Sequence, residues 1–209
     1  MKLCLRLVAA VCLTAWPVWA GSPKYKFVYA SPTAIPGEFA GKKIAAFVIL
    51  PDEGLRKGRE ETLAEELRQR GLDCYAGYIA VPGLMEKNRA QAREILQKKG
   101  YHGAVLMRLL GDEEVARSSI SVGVGWYDQP YYSGFMGYWD YGWSSVYSVG
   151  YTWKDRVITL ETLIYSLDRN QLVWAGRSEA TNPKDIRKFV SELVQETSKQ
   201  LQKAGLINK

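Results

Sequence analysis

The chain has 209 residues, 47% of them apolar and 24% charged, with 28 Lys and Arg against 22 Asp and Glu for a net charge of +6. That length suits one domain, or one domain with an insertion, and the apolar share is enough to build a core, which argues against global disorder. One histidine and three cysteines argue against a disulfide scaffold and a histidine-driven enzyme, and the composition argues against a polytopic membrane protein.

Residues 1–20 read as a secretory signal peptide. Lys2 and Arg6 precede an apolar run from Leu7 to Ala20, too short to span a hydrocarbon core, and Val18-Trp19-Ala20 places small residues for cleavage after Ala20. Cys12 follows Val11, where a lipid-attachment signal wants a small residue, and the apolar stretch continues beyond it. Removal of the signal takes away Lys2, Arg6, Cys4 and Cys12, so the mature chain keeps Cys74 alone and forms no intramolecular disulfide. The chain is therefore expected in the periplasm or at the periphery of an outer membrane. Its dispersed positive charge gives no reason to expect nucleic acid.

Residues 21–42 read as an extended Pro- and Gly-containing leader with a short strand at Tyr25–Tyr29, and residues 43–209 as one domain. Ile44–Leu50 is a continuous apolar run, the mark of a strand covered on both faces. Asp52 is placed to cap a helix reaching about Arg70, with Leu55, Leu63 and Leu67 on one side and Gly71 as its stop. A strand is expected over Cys74–Val81, with Cys74 a buried thiol, the alternative being an intermolecular bridge. A helix is expected over Glu86–Lys99 with Ala92, Ile95 and Leu96 inward, then a strand over Ala104–Leu110. Arg156–Leu167 and Leu172–Ser178 form a hairpin around Asp168–Gln171. Asn182 and Pro183 open a last helix whose Phe189, Val190, Leu193, Val194 and Leu201 share a face, and Gly205 with Leu206 close it. The order β-α-β-α-β, insertion, β-β-α gives an α/β fold with a mixed, partly parallel sheet and helices packed on it.

The insertion spans 118–153. Twelve of the chain's 25 aromatic residues fall between Trp126 and Trp153, interleaved with glycines and accompanied by only two charges, Asp128 and Asp140. Ile120, Val122, Val124 and Trp126 alternate with small residues, as do Tyr147, Val149, Tyr151 and Trp153, so two strands joined by a loop of about sixteen residues are expected. Three readings stay open: a hairpin and loop folded over the sheet, an exposed ring surface for a partner, glycan or second copy, or one hairpin of an oligomeric membrane barrel. The residues assigned to partner contact are Trp126, Tyr131, Tyr132, Phe135, Tyr138, Trp139, Tyr141, Trp143 and Tyr147.

Enzyme motifs are weak. Gly176-Arg177-Ser178-Glu179-Ala180 has the outline of a nucleophile elbow, but its serine sits in a strand candidate, four residues before the helix start. His102 stands alone as an imidazole base, and Gly123-Val124-Gly125 lacks the third glycine of a dinucleotide loop. No catalytic residue, cofactor or metal is expected.

The block Gly134–Trp143, the stretch Val157–Leu167 and Leu172-Val173-Trp174-Ala175-Gly176 with the closing helix resemble a group of exported bacterial proteins without assigned function. The element order is similar to that of the amino-terminal domain of TolB and the periplasmic domain of the curli secretion channel CsgG. These resemblances imply a non-catalytic envelope protein that contacts a protein partner or another copy of itself, or touches the outer membrane peripherally. Glycan or peptidoglycan binding is the alternative, with a carboxylate-dependent hydrolase behind it.

Overall fold

The computed structural model describes residues 23–83, 89–110, 127, 129–148, 157–181 and 186–207. Among the described residues six strands form one mixed sheet in the order β1-β6-β5-β4-β2-β3, where β1 is Lys24–Ala30, β2 Lys43–Ile49, β3 Asp73–Ala76, β4 Tyr101–Leu110, β5 Val157–Ser166 and β6 Gln171–Thr181. β2 runs parallel to β3 and β4, and the remaining neighbours are antiparallel. The helices are α1 (Glu53–Arg68), α2 (Gly77–Ala80), α3 (Ala92–Lys98), α4 (Pro130–Ser133), α5 (Phe135–Ser148) and α6 (Ile186–Lys203). The expected α/β class with a partly parallel sheet is what the chain adopts.

The sheet carries a core on each face. Ile44, Ala46 and Val48 of β2 point towards α1 and α6, whereas Ala45, Phe47 and Ile49 point towards α3 and α5. This two-sided burial is why β2 reads as an unbroken apolar run. Asp52 Oδ1 accepts the Leu55 N–H at 2.7 Å and caps α1. The closing helix ends in a Schellman pair: Leu206 N–H donates to Leu201 O at 2.9 Å and Gly205 N–H to Gln202 O at 3.0 Å, with Gly205 at φ +71°. In the β5–β6 hairpin, Asn170 takes the left-handed conformation at φ 51°.

The strand expected at Tyr25–Tyr29 is β1, which pairs with β6 and so ties the start of the described chain into the sheet. Three expectations need correction. Leu55 is 49% exposed, and the inner face of α1 carries Arg56 and Glu60 beside Leu63 and Leu67. The strand expected to run to Val81 ends at Ala76, and α2 begins at Gly77. A Cβ at Gly77 would run into the Phe47 ring, so the backbone turns where only glycine fits beneath that ring. The third correction is the insertion: its centre, read as a loop, is α4 and α5, and Tyr147 and Ser148 end a helix rather than begin a strand. The strand readings at 118–126 and 149–153, the helix start at 86–88 and the cap at Asn182–Pro183 lie outside the described residues.

Candidate functional site: the aromatic layer over a buried carboxylate

Phe135, Tyr138, Trp139, Gly142 and Trp143 occupy positions i, i+3, i+4, i+7 and i+8 of α5, one side of a helix. That side lies on the sheet. Tyr132, Phe135, Tyr138, Trp139 and Trp143 are at most 1% exposed. Trp139 meets Phe47 edge-on at 4.9 Å between centroids and Trp143 at 5.7 Å, while Phe135 stacks on it at 5.3 Å. Such pairs add about 0.5–1.5 kcal/mol each beyond the area they bury. Close approach is possible at Gly142, where a Cβ would come within 2.7 Å of Ile49 Cδ1.

Beneath these rings the sheet holds a row of charge. Arg108 of β4, Glu161 of β5 and Arg177 of β6 are register partners, so the three side chains leave the sheet side by side on the aromatic face. Glu161 is fully buried. Tyr132 donates its hydroxyl to Oε1 at 2.7 Å and Tyr138 to Oε2 at 2.6 Å, and an Arg108 nitrogen lies 3.4 Å from Oε2. Arg177 approaches Oε1 at 4.0 Å. Arg108 also donates Nε–H to the Tyr138 hydroxyl at 2.9 Å and reaches Ser145 Oγ at 2.6 Å, which ties the middle of α5 to β4. Its guanidinium faces the Tyr141 ring at 5.0 Å. Tyr165 closes the set by donating to Tyr132 O at 2.9 Å, and Asn170 of the hairpin accepts the Phe135 N–H at 3.2 Å.

A buried carboxylate facing two guanidiniums and two phenols is a strong anchor for a helix whose own sequence has few polar groups. Burial raises the Tyr132, Tyr138 and Tyr165 phenols well above 10, with the Glu161 charge adding to the effect, so they remain neutral donors at physiological pH. Among the described residues the indole N–H groups of Trp139 and Trp143 are buried without partners, so aromatic packing rather than hydrogen bonding holds these two rings.

The nine residues assigned to partner contact therefore separate. Tyr132, Phe135, Tyr138, Trp139 and Trp143 face the sheet. Tyr131 and Tyr141 are half-buried and stack on each other at 4.3 Å between centroids. Trp126 and the Tyr147 side chain lie outside the described residues. Sequence reasoning missed Arg108, Glu161 and Arg177, although Glu161 was conspicuous as the one acid in the ten-residue strand β5, a signal that it needs a buried partner. Elsewhere, His102 Nδ1 sits 3.0 Å from both Asp168 oxygens with both side chains about 40% exposed, and Lys42 lies 3.5 Å from the same carboxylate. Among the described residues no hydroxyl or thiol hydrogen-bonds to that imidazole. Ser178 is buried in β6, and Cys74 is buried with its thiol pushed up to about 12 by desolvation.

No protein-family model matches the chain, and no curated protein matches it. Among solved structures it is similar to the PelC dodecamer from Paraburkholderia phytofirmans at 12% identity, covering 88% of this chain and 100% of that one with a TM-score of 0.42. A structure of a point variant of the same dodecamer shows 9% identity, coverage of 79% and 96%, and a TM-score of 0.40.

Proposed function

We propose that this chain is an exported, non-catalytic module of the bacterial cell envelope that binds a protein partner through the outer side of α5. The observation that carries the reading is the makeup of that helix. Its fourteen residues include no Lys, Arg or Glu and one acid, Asp140, yet Gly137, Asp140 and Ser144 are exposed and Met136 and Tyr141 half-exposed. A helix on the surface of a soluble domain ordinarily carries charge there. Here the outer side offers Met136, small residues and the stacked Tyr131–Tyr141 pair, rigid rings that bury area at low entropic cost. The rings beneath fix the position of that side against the sheet.

The signal-like residues 1–20 and the resemblance to exported, non-catalytic proteins support the same reading. Two carboxylates near the aromatic layer and the hairpin support binding rather than hydrolysis: Glu161 has both oxygens engaged inside the core, and Asp168 is paired with His102 and Lys42.

The test is co-purification of the mature protein from envelope extracts, alongside sedimentation of the pure protein. Tyr131→Ser with Tyr141→Ser is expected to abolish a discrete complex, with another protein or with a second copy, while leaving the melting temperature close to that of the parent. A complex that survives the double substitution contradicts the proposal. Quenching of Trp fluorescence by peptidoglycan fragments, without any protein complex, would move the assignment to glycan.

A further inference from the structure

On the opposite face of the sheet, α1 and α6 leave a cavity of about 270 Å³ against β2, β4 and β5. Exposed Gly37, Ala40, Arg70 and Gly71 mark its mouth, where the turn after β1 meets the end of α1. Its floor is apolar, with Ile44, Val105, Met107 and Ile164 buried. One polar group breaks that floor. Thr162 is 2% exposed, and its hydroxyl is buried without a hydrogen-bond partner among the described residues.

The other polar groups of the lining are already engaged. Thr197 donates to Leu193 O at 2.8 Å and so receives the Tyr25 hydroxyl, 2.6 Å away, as an acceptor. Ser198 donates to Val194 O at 2.9 Å, and Arg70 is held by Glu66 at 2.8 Å. Tyr25 lies near enough to Thr162 for the two hydroxyls to influence each other, but no bond of proper geometry joins them. A buried hydroxyl left unsatisfied destabilises the empty protein.

We infer that this cavity is a binding site for a small neutral amphiphile: a hydrocarbon body of the size of a medium-chain alcohol or ester, with one oxygen that hydrogen-bonds to Thr162. Size supports it, because an aliphatic cavity of roughly 150 Å³ takes up benzene. Charge supports it too, because the one charged residue lining the cavity among those described, Arg70, is neutralised by Glu66. The site lies across the sheet from the aromatic layer and does not depend on partner binding there.

The experiment titrates the mature protein with 1-octanol and with n-nonane, matched in heavy-atom number, following methyl resonances by NMR and the melting temperature. Octanol is expected to raise the melting temperature and to shift the methyls of Ile44, Val105, Ile164 and Leu201, and to bind more tightly than nonane. Thr162→Val, close to the native shape, is expected to stabilise the empty protein and to lower octanol affinity by roughly three- to tenfold, leaving nonane unchanged. Val194→Phe, which fills the cavity from the α6 side, is expected to abolish both. Absence of saturable shifts at these methyls, or equal affinity for octanol in Thr162→Val and the parent, overturns the inference.

Discussion

Two buried carboxylates do different work in this molecule. Glu60 on α1 accepts the Val48 and Tyr78 N–H groups at 3.3 and 2.8 Å and pairs with Arg56 at 3.2 Å, yet burial pushes its carboxyl from 4.5 to about 7. Glu60 therefore binds its proton more tightly folded than unfolded. Its contribution to stability is fully present below pH 4.5 and is lost as pH rises through about 7, a change of roughly 3 kcal/mol at most. Urea denaturation across that window is expected to show the decline in the parent and to lack it in Glu60→Gln. Glu161 is instead the counter-charge of two arginines. Glu161→Gln leaves Arg108 and Arg177 facing a neutral amide inside the core and is expected to cost about 3–5 kcal/mol, read as a lower denaturation midpoint. Pairing it with Arg108→Met should recover part of that loss.

At the scale of elements, how legible each one was depended on which periodicity governed it. β2 and the β5–β6 hairpin follow directly from apolar runs and turn chemistry, and α6 from helical spacing with a glycine stop. The insertion misleads because its flanks alternate with period two while its centre, Phe135 to Trp143, already carries the i, i+3, i+4, i+7, i+8 spacing of a helix. Alternation on either side suppressed that second signal. Leu55 misleads for a related reason: eight positions before Leu63 on a helix is about 80° off its face, and the space is taken by Arg56 and Glu60. Burial in α5 has a measurable consequence. Trp139→Ala removes a ring packed among Phe47, Phe135 and Trp143 and is expected to cost about 3–5 kcal/mol, whereas a ring serving only as a contact would cost little stability. Gly77→Ala drives a methyl against the Phe47 ring and is expected to cost about 1–3 kcal/mol in the same assay.

Across the whole molecule, the sheet separates two environments. One face meets α1 and α6 through aliphatic side chains and keeps a cavity; the other meets α5 through aromatic rings and a closed row of charge. The charge row was invisible in sequence because Arg108, Glu161 and Arg177 come from three strands and meet only through register. With the large rings turned inward, the claim of partner binding narrows to the outer side of one helix. Site-specific photocrosslinking tests it most directly, with a benzophenone side chain at 141 and, as a control on another helix, at 199. The account predicts a discrete protein adduct from 141 in intact cells and none from 199. Absence of an adduct at 141, or the same adducts from both positions, would contradict it.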